Sequence, residues 1–294
     1  MADTALLSTR GRVLDYVDLT KPRLLPLVLL TGLPVMGMAA GGWPSFSFMA
    51  LTMLGILLAA AAANTLNAYL EREIDGRMER TRSRPLPSGK LEPRSALIFG
   101  WSLGTAATLL LWAVAGPAAA GVGVASILYY VFVYTVWLKP RSAWNAVVGG
   151  AAGAAAPLIA DAAVNGSVGV PGLLLFAIVF FWQPPHVWAI ALYRKADYAA
   201  AGIPMLPNVI GDEPTRHWML GCTLGLVPVT LAPVFLGMLG DIYLAVAIGM
   251  NLWFTVSSVQ VWRQRTDEAA QRMFRVSLAY LFSLYLAMLI DLLL

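Results

Sequence analysis

Residues 46–90 read FSFMALTMLGILLAAAAANTLNAYLEREIDGRMERTRSRPLPSGK. The stretch is apolar from residue 46 to about residue 70, and then abruptly charged. An apolar helix of roughly 20 residues spans the hydrocarbon core of a bilayer, so 46–70 reads as a membrane crossing. Its end carries Asn67, Glu71 and Asp75, spaced four residues apart. On a helix that spacing stacks all three on one face, whereas Glu73 points elsewhere. An amide and two carboxylates in a row form an oxygen surface suited to a hard cation. Mg²⁺ in particular takes its remaining ligands from water and substrate phosphates. The alternative is ordinary interfacial charge, with Glu71 and Asp75 paired to Arg72 or Arg77. The next residues, Gly76 to Lys90, include Arg80, Arg82 and Arg84. Arginine's planar fork matches phosphate oxygens and stays charged. A positive-inside bias explains basic residues, but not an ordered row of acids just before them. Acids beside a basic loop point to a metal–diphosphate site.

The rest of the chain extends the same reading. Of the 294 residues, 59% are hydrophobic and 12% charged, and the mean hydropathy is +0.71. That charge content is about half the usual share of roughly 25% for soluble domains. A water-soluble globule is excluded, and so is intrinsic disorder, which needs low hydrophobicity and high charge. The single cysteine, Cys222, excludes a disulfide scaffold and a cysteine-cluster metal site. Nine spans are expected, roughly 24–43, 46–70, 96–115, 118–138, 143–161, 171–192, 218–238, 242–261 and 273–293. Of the 20 Lys and Arg residues, all fall before the first span or in the connections after spans two, four, six and eight, save Arg275, which stands in the first turn of the ninth span on the same side. Basic loops mark the cytoplasmic side, so the N-terminus is placed inside and the C-terminus outside. The expected fold is therefore an all-α integral membrane protein. Its nine transmembrane helices would surround a central cavity opening to the cytoplasm, as one domain over 1–294 with residues 1–23 a cytoplasmic segment. The short N-terminus carries acidic Asp3 and runs directly into the first span, which favours a bacterial inner membrane over an imported organellar protein. The net charge of +4 is explained by the basic loops, and no nucleic-acid partner is expected.

The sixth span reads Phe181-Trp-Gln-Pro-Pro-His186-Val-Trp188 and runs on to Tyr193, Lys195 and Asp197. Asp197 offers a second anchor for a metal, and Lys195 a phosphate contact. Lys139 and Arg141, at the cytoplasmic end of span four, could line the same funnel or be solvated loop charges. His186 lies inside a span, where ionisable groups are costly and usually face a cavity. Its readings are a contact to a polar co-substrate, an iron ligand, a proton acceptor, or a histidine bonded to a neighbouring helix. The prolines at 184 and 185 are expected to disrupt main-chain hydrogen bonds and bend the span. Trp182, Trp188, Tyr129, Tyr130 and Tyr134 are candidates to line an apolar channel or to sit at the membrane interface. His217 carries no special signal.

The run Asn67-x-x-x-Glu71-x-x-x-Asp75-x-x-Met78-x-Arg80-Thr81-x-x-Arg84-Pro85-Leu86-x-x-Gly89 resembles the first motif of the UbiA-type intramembrane prenyltransferases. More narrowly, four further runs resemble the haem-farnesylating branch of that family. They are Leu19-Thr-Lys-Pro-Arg23, Tyr134-Thr-x-x-Leu-Lys139 leading to Asn145, Pro185-His186-x-Trp188, and Lys195-x-Asp197-Tyr198-x-x-Ala201-Gly202-x-Pro204-Met205-Leu206-Pro207. The resemblance covers the chain from about residue 16 to its end. Two departures stand out: Glu71 replaces the aspartate of many members, and Asp197 is followed by Tyr198 where many relatives pair two aspartates. The resemblance implies Mg²⁺ as cofactor, farnesyl diphosphate as donor, haem b as acceptor, and haem O and diphosphate as products. It further implies Asn67, Glu71, Asp75 and Asp197 as metal ligands, and Arg80, Arg84, Lys139, Lys195, Lys21, Arg23 and Arg141 around the diphosphate. His186, Trp188 and Tyr193 would meet the haem, and a haem A synthase or terminal oxidase is the implied downstream partner. The competing readings are an enzyme for an aromatic or quinone precursor, and a non-catalytic transporter or assembly protein.

Overall fold

The computed structural model describes residues 2–294. The side chains of residues 1–10, including Asp3 and Arg10, lie outside the described residues. The described residues form helices and contain no strand. In chain order these are α1 (Ala2–Leu19), α2 (Leu25–Ala40), α3 (Phe46–Gly76) and α4 (Pro93–Leu128), which passes into a π-helical segment, Tyr129–Leu138. Then follow α5 (Asn145–Gly153), α6 (Ala155–Asn165), α7 (Val170–Tyr193), α8 (Lys195–Ala200), α9 (Leu206–Ile210), α10 (Asp212–Phe235), α11 (Asp241–Gln264) and α12 (Asp267–Leu293).

Among the described residues, seven helical stretches are long and apolar enough to cross a membrane, against the nine expected. The chain is a multi-pass membrane protein, and the difference in count has two local causes. One stretch, Pro93–Leu138, is 46 residues long, or about 69 Å at 1.5 Å per residue, more than twice a hydrocarbon core. It contains a break at Gly116 (φ 86°, ψ −179°), followed by Pro117. That backbone conformation suits glycine alone, and it falls at the junction expected between the third and fourth spans. The other cause is α2. At 16 residues it is about 24 Å long, because the turn at Lys21–Leu24 delays its start and Gly41, in a left-handed conformation, ends it. The expected span 143–161 is divided at Ala154 into α5 and α6. The helix α7, in contrast, runs unbroken through Pro184 and Pro185.

Three features hold these helices around a central space. The helix α6 packs against α2, α4 and α7, and α7 in turn packs against α10 and α12. Asp161 on α6 is fully buried and accepts hydrogen bonds from Gly169 N (2.6 Å) and Gly172 N (3.0 Å), satisfying the free N–H groups at the start of α7. Between α10, α11 and α12, Tyr243 donates to Thr230 O, Asn251 Nδ2 to Thr230 Oγ1, and Tyr280 to Asn251 Oδ1. Such interhelical hydrogen bonds tie spans together where lipid offers no hydrophobic drive.

The cytoplasmic ends matter most for the site. α3 continues six residues past the expected end of its span, so Asp75 stands on the helix and not in the loop. The following segment folds back as a chain of turns: Thr81 N and Arg82 N reach Met78 O, Ser88 N reaches Arg84 O, and Lys90 N reaches Pro85 O. Leu86 and Leu91 bury themselves with Leu19, Ala68 and Ala96. This packing presses the arginine loop against the end of α3.

Candidate active site

Asn67, Glu71 and Asp75 line one face of α3 and are only 2%, 5% and 3% exposed. Buried carboxylates need partners, and each member of the row has one cation. Lys21 Nζ donates to Asn67 Oδ1 at 2.7 Å. Lys139 Nζ donates to Glu71 Oε1 at 2.6 Å. Arg84 donates to Asp75 Oδ2 at 2.7 Å. The three cations come from three places: the turn before α2, the end of the π-helical segment, and the loop after α3. The Asn67 amide also donates to Thr135 Oγ1 at 3.0 Å, and Thr81 Oγ1 anchors the loop by donating to Asp75 O at 2.7 Å. The alternative pairing to nearby arginines is not what forms: Arg72 meets Glu73 and Tyr69 O.

The backbone of Lys21 is left-handed (φ 54°), a conformation uncommon outside glycine, and such strain concentrates at functional positions. Burial pulls the Lys21 ammonium down to about 8. Glu71 opposes this fall, while repulsion from Arg84 and Lys139 adds to it. At Lys139 burial also works to lower the value, but Tyr134, Glu71 and Asp75 outweigh it and push the group up to about 12. The two lysines therefore differ: Lys139 holds its charge throughout the working range, and Lys21 does not. The Lys21 value lies below the ordinary 10.5, so the protein disfavours its charged form. That penalty is full below pH 8 and disappears as pH rises towards 10.5. Any anion that needs Lys21 charged should bind less well above pH 8. We expect kcat/KM for an anionic substrate, which reports groups of the free enzyme, to fall on the alkaline side with an apparent pKa near 8. Lys21→Arg should move that limb to higher pH, because guanidinium does not lose its proton. An unmoved limb would show that another group controls it.

Directly beside the row lies a cavity of about 330 Å³, lined among others by Leu24, Asn64, Tyr130, Tyr134, Trp182 and His186. Tyr134 belongs to both places: it lines the cavity, and Lys139 Nζ sits over its ring, 5.8 Å from the centroid. A glycine makes room for it. A Cβ at Gly149 would lie 2.4 Å from the Tyr134 ring. The walls are mainly apolar, with a few polar groups from Asn64, Asn145, Gln183 and His186.

His186 is held between Trp182 (ring centroids 4.3 Å apart, near parallel) and Phe274 (4.9 Å). Its Nδ1 lies 2.7 Å from Ser277 Oγ. Ser277 gives its only hydroxyl hydrogen to Phe274 O at 2.6 Å, so towards His186 it can only accept. Nδ1 therefore carries the hydrogen, and Nε2 is left as a bare acceptor. A histidine so oriented can bind a metal, accept a hydrogen bond or take a proton.

The remaining expected residues take other positions. Trp188 is fully buried, packs edge-on to Trp144, and is not among the cavity-lining residues. Tyr129 turns its hydroxyl to Val148 O, and Tyr193 lies under Arg194; neither lines the cavity. Lys195 is bound to both oxygens of Asp212, at 2.9 and 2.8 Å. Arg141 donates to the carbonyls of Val136 and Trp137, closing the end of the π-helical segment. Arg23 and Arg80 are exposed. Asp197 lies 3.5 Å from Arg194 and, among the described residues, forms no hydrogen bond or ion pair with the α3 row. Its neighbour Tyr198 packs against the cluster of Met78, Ala191, Ala201, Ile203 and Met205, which Ile74 of α3 also meets. Asn145 Nδ2 donates to Pro204 O and holds the compact turn after α8 to the start of α5. Thr135, Gln183 and Ser277 went unmarked in the sequence. Only Thr135 had a local signal, the Tyr134-Thr-x-x-Leu-Lys139 run.

All donors of the row are oxygens, which fits a hard cation. Among the described residues no three His, Cys, Asp or Glu side chains converge as a ready metal cage. An amide and two carboxylates that leave the other ligands to a diphosphate are a normal Mg²⁺ arrangement.

A buried acidic row faced by three cations, beside an apolar chamber inside a helical membrane protein, is the setting of an intramembrane enzyme. The chain belongs to the UbiA prenyltransferase family, which matches residues 28–285, and it is a transferase. It is 44% identical over 297 residues to the protoheme IX farnesyltransferase of Methylobacterium nodulans, across 99% of this chain and 92% of that one. Two solved structures share its fold. Digeranylgeranylglyceryl phosphate synthase superposes with a TM-score of 0.80 at 17% identity, covering 96% of this chain and 99% of that one. A UbiA homologue from Archaeoglobus fulgidus bound to DMAPP and Mg²⁺ gives 0.66 at 18%, covering 94% and 99%.

Proposed function

We propose that the protein transfers a farnesyl group from farnesyl diphosphate to a vinyl group of haem b, with addition of water, giving haem O and diphosphate. The observation that carries this reading is the row Asn67, Glu71 and Asp75, each faced by one cation, beside the cavity that His186 lines, with Tyr134 common to both. The 44% identical relative named as a protoheme IX farnesyltransferase supports the acceptor, and the Archaeoglobus homologue bound to Mg²⁺ supports the metal.

Asn67, Glu71 and Asp75 would hold Mg²⁺, with Asp197 reaching it from α8. The ion, when bound, supplies Lewis-acid stabilisation of the leaving diphosphate. Lys21, Lys139 and Arg84 now rest on the acidic row, and they turn to the diphosphate oxygens as the row is neutralised. Arg80, exposed on the same loop, joins them. Lys195, Arg23 and Arg141 stand further out and guide the anion inward. As the allylic C–O bond breaks, these donors meet the charge developing on the leaving group. The allylic cation forms against the faces of Tyr130, Tyr134 and Trp182. The terminal vinyl carbon bonds to the farnesyl carbon that lost diphosphate, which places positive charge on the carbon next to the macrocycle. Water adds there, and its proton passes to Nε2 of His186.

The membrane arrangement follows the basic loops: nine crossings, with the long stretch 93–138 folded into two by its break at Gly116. The N-terminus lies inside, and the site faces the cytoplasm across a bacterial inner membrane. The chain is one intramembrane domain, and its product passes to a haem A synthase or a terminal oxidase.

The test is conversion by purified protein in detergent, with farnesyl diphosphate, haem b and Mg²⁺, followed by chromatography and mass spectrometry. Haem O is expected with metal and absent with chelator. Diphosphate release with an aromatic acceptor, and none with haem, would overturn the acceptor but keep the site.

A further inference from the structure

We infer that Thr135 is a positioning residue. It locks the Asn67 side-chain amide so that its oxygen, and not its nitrogen, stands in the row with Glu71 and Asp75. The inference rests on the reading of Asn67 as a metal ligand.

The lock follows from counting hydrogens. Thr135 is buried in the π-helical segment, and its hydroxyl lies 2.8 Å from Tyr130 O, five residues earlier. A carbonyl can only accept, so the one hydroxyl hydrogen of Thr135 goes there. Towards Asn67, 3.0 Å away, the hydroxyl then offers a lone pair alone. Only the amide NH₂ can meet it, and the amide oxygen must point to the other side. There it receives the ammonium of Lys21 at 2.7 Å, which can only donate. Two independent partners thus demand the same orientation. They are not equivalent in the reaction. Lys21 leaves Asn67 when it turns to the diphosphate, and Thr135 alone then keeps the oxygen forward.

The π-helical register gives the arrangement its reason. Such segments are rare, and those that occur cluster at functional sites. Here Lys139 N also reaches back five residues, to Tyr134 O at 2.8 Å. In α-helical register the Thr135 hydroxyl would reach the carbonyl of Val131, four residues back, and not that of Tyr130. One register therefore sets both Thr135 against Asn67 and Lys139 against Glu71.

The experiment is calorimetric titration of the full-length protein in detergent with Mg²⁺ and inorganic pyrophosphate, a probe that depends on neither prenyl length nor acceptor. Thr135→Val keeps the shape and removes the hydroxyl. It should weaken Mg²⁺–pyrophosphate binding about tenfold, the lower end of what loss of a ligand-orienting partner costs. Thr135→Ser should bind as the parent does. Asn67→Ala should lose at least as much as Thr135→Val, and the double variant no more than Asn67→Ala alone, because the two act as one unit. Should the Val variant fail to fold, Thr135→Ala removes the same hydroxyl without adding a methyl group. Weak binding in Asn67→Ala but parental binding in the folded Thr135 variant would overturn the lock and leave the metal reading standing. Parental binding in Asn67→Ala would overturn the metal reading itself.

Discussion

Replacing Asp75 by alanine is expected to lower prenyl transfer by about 10²- to 10³-fold, the scale of removing one well-placed charge-stabilising group from an enclosed site. Asp75 is 3% exposed and holds Arg84 at 2.7 Å. Its removal takes away an anionic metal ligand and also frees the arginine from its position. The fold should survive, because the loop is anchored to the main-chain carbonyl of Asp75 by Thr81, a contact the substitution leaves in place. Membrane insertion and a single elution peak in detergent would confirm this. Asp75→Asn should be nearly as inactive, since it keeps the size and loses the charge. Turnover near the parental level in a folded Asp75→Ala protein would remove the metal assignment from α3.

The second large effect concerns His186. Its Nδ1–H is committed to Ser277 and its Nε2 is a bare acceptor in a cavity-lining side chain. His186→Leu fills similar space without an acceptor. Formation of the hydroxylated haem product should fall by about 10²- to 10⁴-fold, the usual contribution of a placed acid–base group. Binding of Mg²⁺ and pyrophosphate should stay parental, because the residue has no contact with the α3 row. What product remains should shift towards the form that lost a proton instead of gaining water, which mass spectrometry reads directly. Ser277→Ala should lose much less, since the imidazole remains and only its orientation loosens. Parental yield of hydroxylated product from His186→Leu would show that water needs no base from this chain.

Much of this site was legible in the sequence because its central element is local. Asn67, Glu71 and Asp75 lie on one helix, and a four-residue spacing is enough to place them on one face. The break between the third and fourth apolar runs was legible for a similar reason, since Gly116 and Pro117 are adjacent and disturb only their own turn. Composition shows where a chain is apolar, but not where two apolar runs join in one helical stretch across a kink or where a helix starts late, as α2 does. Asp197 and Lys195 show the limit for loops. Their sequence neighbourhood suggested a shared anion site, and the ion pair of Lys195 with Asp212, 17 positions on, is a contact that neighbourhood does not show.

The sequence by itself determined that this is a membrane-spanning helical protein with an acidic row and a basic loop beside it, because apolar length and helical period are properties of contiguous residues. Only the tertiary structure decided how the row is held. Lys21 reaches Asn67 across 46 positions, Lys139 reaches Glu71 across 68, and His186 reaches Ser277 across 91. Spacing along a helix fixes the face on which a side chain stands, but the partner facing it depends on the packing of distant helices. The hydrogen on His186 and the direction of the Asn67 amide are settled by those partners alone.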